Sequence, residues 1–438
     1  MDRIEAIASR IRRLRVSRHF GRVTAIRAGV VEAGGLNHIA SVGDRVALLD
    51  GVLSGEVIAL DPQAALILPE GATDGLSIGT PVELLFRPVI APCDAWIGRI
   101  VDPLGCALDG RPLRAGHEDR RFRSPPPPAA SRRRLGERLD TGLAVFDTLL
   151  PIVRGQRIGL FAGSGVGKTT LLSALARGVT ADVVVIAMVG ERGRELREFV
   201  ETTLGPQGMA RAVVVAATSD QSPLMRRRCA WAAMTVAEHF RDQGRHVLFL
   251  ADSITRFAEA HREIALASGE APSHRGFPPS TSQMIMALAE RSGPGPEGAG
   301  DITAIFSVLV AASDMEEPVA DILRGVLDGH VVLDRAIAER GRFPAVDVLR
   351  SVSRSLPHAA STVENAFIAR ARAALGLYAE SELMIKAGLY AAGSDPRLDE
   401  AVRINPALDG FVALKSDDAQ QSFQMLGDAL AGHAPRMG

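Results

Sequence analysis

The stretch Phe161-Ala162-Gly163-Ser164-Gly165-Val166-Gly167-Lys168-Thr169-Thr170 has the residue types and spacing that cradle a nucleoside triphosphate. Small residues from Gly163 to Gly167 let backbone N–H groups close around phosphate oxygens, and a helix starting at the end of the loop adds the positive end of its dipole. Lys168 can set its ammonium on the β- and γ-phosphates, and the Thr169 hydroxyl can ligate Mg²⁺. Where the strict pattern opens with Gly, the chain has Ala162. The surroundings agree with the motif. Arg157-Ile158-Gly159-Leu160-Phe161 reads as a buried strand, and Leu171-Leu172-Ser173-Ala174-Leu175-Ala176 reads as a helix.

Hydrolysis needs more than a phosphate cradle: a held Mg²⁺, an aimed water, and positive charge for the transition state. Val247-Leu248-Phe249-Leu250-Ala251-Asp252 is an apolar strand ending in a carboxylate, the form of a segment that positions Mg²⁺ or its water. Val183 to Met188, then Val189-Gly190-Glu191-Arg192, puts a second carboxylate just past another strand. In a parallel sheet the C-terminal ends of strands face the ligand crevice. From the residues alone Glu191 has two readings: it orients the attacking water, or it is a surface carboxylate paired with Arg192, Arg194 or Arg197. Arg354, in Ser351-Val352-Ser353-Arg354-Ser355, is by itself one arginine among many.

The elements that must position these groups alternate from about 150 to 350. Strand candidates at Ile158–Phe161, Val183–Met188, Ala212–Ala217, Val247–Ala251 and Ile302–Val310 are separated by helical stretches, the pattern of an α/β parallel sheet. Before them, short apolar runs such as Arg45–Leu49, Gly55–Leu60 and Ala65–Leu68 alternate with turn residues and predict a small barrel or sandwich. Ser124-Pro125-Pro126-Pro127-Pro128-Ala129-Ala130 predicts an extended linker. After Ser355 the chain reads as helical, over Val363–Ala374, Glu380–Ala391 and from Asp399 onward. The domain boundaries so read are an amphipathic helix over 1–19, a barrel over 20–95, a connecting segment over 96–150, the nucleotide domain over 151–355 and a helical domain over 356–438. The first helix, with Ile4, Ile7, Ile11 and Leu14 among arginines, either packs on its own domain or docks a partner or an anionic membrane.

The 438 residues carry 50 basic and 51 acidic side chains, a net charge of -1, which gives no global electrostatic case for nucleic acid. Basic clusters are local: Arg12-Arg13, Arg132-Arg133-Arg134 and Arg226-Arg227-Arg228 read as solvated faces or contacts to neutral partners. The three cysteines are widely spaced, with no metal-ligand pattern, so a reducing compartment is the simpler expectation. With no leader-like or membrane-spanning apolar run, a cytoplasmic location is expected.

Taken together, these residues resemble the catalytic-type subunits of rotary ATP synthases and, more closely, the flagellar and type III protein-export ATPases. The resemblance rests on Pro344-Ala345-Val346-Asp347-Val348-Leu349-Arg350-Ser351-Val352-Ser353, on Gly98 to Gly105, on Gly190-Glu191-Arg192-Gly193-Arg194-Glu195 and on Ala392-Gly393-Ser394-Asp395-Pro396. It implies a RecA-like P-loop ATPase core with an N-terminal β-barrel and a C-terminal helical domain, assembled as a homohexamer with sites between subunits. It implies ATP and Mg²⁺ as ligands. Glu191, Lys168, Arg192 and Arg354 match the family's catalytic residues, with Arg354 as a finger onto the neighbour's ATP. Arg256 matches an arginine beside the phosphates. Gly163, Ser164, Gly165, Val166, Gly167, Lys168, Thr169 and Thr170 match the phosphate loop, Phe343 the aromatic residue on adenine, and Thr169 and Asp252 the Mg²⁺ ligands. The family's partners would be a stator-like regulator at the N-terminal helix, an export gate, a stalk protein and chaperone–substrate complexes, met at the cytoplasmic face of the inner membrane. An injectisome ATPase, a rotary synthase-type subunit, a Rho-like RNA translocase and a non-catalytic ring subunit are the alternatives.

Overall fold

The computed structural model describes residues 17–310 and 315–433. The predicted helix over 1–19 lies almost wholly outside them, as does the Arg12-Arg13 cluster.

Six short strands make the first domain: β1 (Phe20–Arg27), β2 (Val30–Gly34), β3 (Arg45–Leu48), β4 (Leu53–Leu60), β5 (Ala65–Pro69) and β6 (Pro81–Phe86). They close into a barrel in the order β1-β2-β5-β4-β3-β6, so no edge is left unpaired. Alternation explains the closure: Val31, Ala33, Val46, Leu48, Ile67, Val82 and Leu84 point inward at every second position and fill the interior.

Beyond the barrel, β7 (Val89–Ile90) pairs with β9 (Arg120–Arg121). Between them β8 (Arg99–Val101) leaves this small ribbon and becomes the edge strand of the main sheet. Ser124 to Pro128 carries no helix or strand. It is tied down nearby, because Arg291 donates to the carbonyl of Phe122 at 2.7 Å.

The main sheet contains β10 (Arg157–Ala162), β11 (Val183–Glu191), β12 (Ala212–Thr218), β13 (His246–Asp252), β14 (Gly293–Pro294), β15 (Asp301–Leu309), β16 (Gly329–Leu333) and β17 (Val346–Ser353). Its order is β17-β16-β10-β15-β13-β11-β12-β8, with β14 paired to β15. All neighbours are parallel except β14 with β15 and β17 with β16. The central strands are near-continuous apolar runs because both faces are covered. On one face lie α1 (Lys168–Gly178) and the C-terminal helices, and on the other α2 (Pro223–Asp242) and α3 (Ile254–Ala267). Ser222 and Ser253 cap α2 and α3 with their hydroxyls.

The C-terminal domain departs from the sequence reading. Val363–Ala374 and the start of Glu380–Ala391 belong to one 25-residue helix, here α4 (Thr362–Lys386). Gly376 lies inside it without breaking it; a helical Gly costs only about 1 kcal/mol against Ala. A capping box between Ser361 and Glu364 starts the helix, and Gly388, at φ +68°, lies just past its end. Arg372 on α4 donates to the carbonyl of Ser351 on β17 at 2.9 Å. Two more helices, α5 (Pro396–Phe411) and α6 (Ala419–Ala431), complete the domain.

Two of the basic clusters are not solvated faces. Arg227 and Arg228 are buried on α2 and both reach Glu56 of the barrel, at 2.7 and 2.6 Å, while Arg228 also takes Glu70 at 3.0 Å. Arg132 pairs with Glu290 and Arg133 with Asp301. The reason is architectural. Barrel and linker lie against the nucleotide domain, and a guanidinium that loses water there needs a carboxylate from the other side.

Candidate active site

Strands β10, β15, β13 and β11 are adjacent and parallel, so their C-terminal ends open on one edge of the sheet. From β10 the chain enters the loop Gly163–Gly167 and then α1. Gly165 and Gly167 take φ of +77° and +85°, the left-handed region that a side chain disfavours. Gly167 is needed for a second reason: a Cβ there would stand 3.2 Å from Cδ1 of Phe343. The half-exposed Phe343 ring therefore lies against the phosphate loop, although 176 residues after Gly167 in sequence. Thr169 and Thr170 lie in the first turn of α1, exposed at the mouth.

Behind the loop, Lys168 Nζ is bonded to a carboxylate oxygen of buried Asp252, at the end of β13. The same oxygen accepts a hydrogen bond from Ser307 Oγ at 2.7 Å. One strand over, the pairing of β11 with β12 shifts register between Val189 and Glu191. This local irregularity is centred on Gly190, at φ +71°, and it re-aims Glu191 at the crevice. Burial pushes the Glu191 carboxyl up to about 7, helped by the charge of Asp252 and by a hydrogen bond with Glu195, and opposed by Lys168. A carboxyl poised there can take up a proton near neutral pH.

The arginines are distributed unevenly. Arg256 packs on Gly190 and donates to Glu259 at 2.9 Å. Arg192 stands in solvent, 3.9 Å from Glu195. Arg354 is elsewhere. It follows β17, whose Ser353 pairs with Gly329 at the start of β16, and its guanidinium donates to the carbonyls of Leu327 and Arg324 at 3.1 and 3.3 Å. Ala162 is level with Leu333, at the other end of β16. That is about 13 Å along the strand direction, before the two strand spacings between β10 and β17 are added. The structure thus brings Lys168, Thr169, Glu191, Asp252 and Phe343 together and holds Arg354 away from them.

Two polar groups here went unread in the sequence. Ser307 is buried inside the apolar run of β15, and a hydroxyl within such a run was the available signal. Glu195, four residues after Glu191, lies on a short helix that begins just past the strand carrying Glu191, and no periodicity marked it.

Among the described residues no group of three or more His, Cys, Asp or Glu is placed to hold a metal ion. The Thr169 hydroxyl and the Asp252 carboxylate are hard oxygen donors on either side of Lys168. A donor set this small, completed by phosphate oxygens and water, fits Mg²⁺.

Comparison with known proteins agrees with this geometry. Residues 142–353 match the ATP synthase alpha/beta family, nucleotide-binding domain, and residues 361–428 match the T3SS EscN ATPase C-terminal domain. The flagellum-specific ATP synthase of Caulobacter vibrioides is 45% identical over 425 residues, covering 94% of this chain and 96% of that one. The chain belongs to the flagellum-specific ATP synthase and type III secretion ATPase family. Its fold is similar to that of the assembled ATPase EscN from enteropathogenic E. coli, with a TM-score of 0.87 at 34% identity over 94% of this chain and all of that chain. EscN in complex with its central stalk EscO gives 0.84 at 35% identity, with the same coverage. Barrel, RecA-like core and helical C-terminal domain are thus those of this family of ATPases, in which nucleotide binding belongs to the core. No described helix is long and apolar enough to cross a membrane.

Proposed function

We propose that this chain is a Mg²⁺-dependent ATPase that energises flagellar protein export as a homohexameric ring, each site being completed by the neighbouring subunit. One observation carries the reading: Lys168, Asp252 and Glu191 converge at one edge of the sheet, while Arg354 projects from the opposite end of the same sheet's outer strand. A single chain therefore holds a phosphate site without its finger and a finger without a phosphate site. Identical copies related by rotation supply each other.

In the proposed reaction, ATP phosphates settle over Gly163–Gly167 and the start of α1, and Phe343 covers one face of adenine. The incoming γ-phosphate competes with Asp252 for the Lys168 ammonium. Thr169 and Asp252 would hold Mg²⁺, which when bound offsets charge on the β- and γ-oxygens. Glu191 accepts a hydrogen bond from the attacking water and takes its proton, with Glu195 supporting the carboxyl. Arg192 and Arg256 flank the transferred phosphoryl group, and Arg354 of the adjacent copy offsets the charge that develops in flight. A finger of this kind contributes roughly 10³ to 10⁵ in rate. The flagellar assignment follows the Caulobacter vibrioides relative, a flagellum-specific ATP synthase. A central stalk as partner follows the EscN–EscO complex. A stator-like regulator, an export gate and chaperone–substrate complexes, met at the inner face of the membrane, complete the proposal.

The test is Mg²⁺-dependent ATP hydrolysis per subunit against protein concentration, with sizing in parallel. Specific activity that climbs with the hexameric fraction supports the reading. Full activity in a confirmed monomer overturns it.

A further inference from the structure

Between the barrel, the linker and the nucleotide domain lies a cavity of about 650 Å³ that the ATPase reaction does not use. Its size is that of a small-molecule site, and domain interfaces are where such sites concentrate. Six arginines and two glutamates face it, so its charge depends on what neutralises the arginines. Arg228 has Glu70 as well as Glu56, Arg291 has Glu238, and Arg87 lies 3.7 Å from Asp44. Arg227 only shares Glu56 with Arg228, and its Nε is buried with no hydrogen-bond partner although the residue is just 8% exposed. Arg121 and Arg123 have no carboxylate within ion-pair reach among the described residues.

Glu270 corrects the imbalance only in part, because among the described residues six arginines face five carboxylates in all: Asp44, Glu56, Glu70, Glu238 and Glu270. Glu270 is occupied by Ser280, which donates its backbone N–H at 2.9 Å and its hydroxyl at 2.6 Å. With the Ser280 proton given to Glu270, His261 Nε2, 2.8 Å away, must be the donor to Ser280 Oγ. That leaves the Nδ1 lone pair of His261 toward Arg227. The imidazole is neutral, since burial and Arg227 hold its pKa down at about 4. It adds no charge of its own.

One wall is an aromatic surface rather than a polar one. Trp231 lies under two guanidiniums, Arg227 at 4.9 Å and Arg123 at 5.4 Å from its ring. Phe257 braces it edge-on at 6.0 Å. Pro125, Met284 and Leu288 add apolar lining. Cationic planes over an indole, beside an apolar wall, suit a ligand with an anionic head and a flat or apolar body.

We infer that this cavity is a second small-molecule site, distinct from the nucleotide site, that binds an organic anion: a phosphate or carboxylate carried on an aromatic or apolar body. The head group meets Arg227, Arg123 and Arg121, and the body lies between Trp231 and the linker prolines. A ligand seated there touches barrel, linker and core at once.

The test is calorimetric titration of the full chain, with saturating ADP blocking the phosphate loop, using phenyl phosphate, benzoate and inorganic phosphate as probes. Saturable binding of phenyl phosphate or benzoate at up to millimolar concentration, at least about tenfold tighter than inorganic phosphate, is expected. The tighter of the two aromatic probes identifies the head group. Arg123→Ala removes an exposed side chain with no ion pair and should weaken binding about fivefold or more while the melting temperature holds. Trp231 fluorescence should be quenched with the same Kd. No saturable binding overturns the inference, and so does binding that neither Arg123→Ala nor Arg121→Ala changes.

Discussion

Lys168 and Arg354 occupy opposite ends of one sheet: the first is bonded to Asp252 at the C-terminal edge, the second to the carbonyls of Leu327 and Arg324 beyond the N-terminal end of β16. The two cannot meet on one ATP within a single chain. Arg354→Ala and Lys168→Ala proteins should each be inactive alone. Mixed and reassembled in equal amounts, they should regain roughly a quarter of the wild-type sites, because an Arg354→Ala loop then faces a Lys168→Ala neighbour's intact finger. Phosphate release from the mixture checks this, and a mixture as dead as its parts excludes a finger acting between subunits.

Removal of the Lys168 ammonium has two separable effects. Turnover should fall by about 10³ or more, since charge on the transferred phosphoryl group loses its fixed counter-charge. Asp252, left buried without its cation, should also lower stability, and denaturant unfolding reads this independently of activity. Lys168→Ala protein with near-normal turnover would remove the assignment of this loop as the phosphate site.

The raised Glu191 carboxyl sets the pH dependence. A base must be deprotonated, so kcat/KM should climb with pH and reach half its plateau near 7. The stability effect runs the other way. The native carboxyl holds its proton above the ordinary carboxylate range, so between about 4.5 and 7 the native state binds more protons than the unfolded chain. Stability therefore declines as pH rises through that window. Glu191→Gln should abolish turnover and gain stability relative to wild type at pH 8, with the difference vanishing at pH 4. Stopped assays and melting curves across this range test both statements.

The sequence disclosed the sheet more readily than the contacts around it. β10, β11, β12 and β13 are long apolar runs because helices cover both faces, so burial itself wrote the signal. The phosphate loop was legible because backbone geometry demands Gly165 and Gly167. Burial of Arg227 and Arg228 was not legible. A charged triplet looks the same whether it faces water or a carboxylate 171 residues away on another domain. Ser307 was hidden for a related reason: it matters through Asp252, a partner brought close by the sheet and not by the chain. The continuity of α4 through Gly376 shows the converse, with the capping box and tertiary contacts outweighing a locally weak residue.

Glu56 is the hinge of the barrel's attachment. Glu56→Gln leaves Arg227 and Arg228 buried with a neutral partner, and should cost about 3–5 kcal/mol. Chemical denaturation is the measurement. The barrel should loosen first, seen as protease cleavage near Ser124–Pro128 before the core unfolds.

In the proposed site Phe343 acts through contact with the nucleotide base. Phe343→Ala should raise KM for ATP about tenfold with kcat within a factor of a few, the pattern of uniform binding lost. Phe343→Tyr should be close to neutral. Steady-state kinetics distinguishes this from a role in the chemical step, which would lower kcat instead.

The bond from Arg372 to the carbonyl of Ser351 adds a polar tie where Val346 and Val348 of β17 already share a core with Ile368 and Ala371 of α4. Ser351 lies three residues before Arg354, the proposed finger, and Arg372 lies on the long helix that opens the C-terminal domain. Were Arg354 to reach a neighbour's ATP as proposed, this bond would pass the movement of its strand to the helix below. In the proposed ring each subunit's far end would answer to the nucleotide next door rather than to its own, so events would pass from copy to copy in a fixed direction.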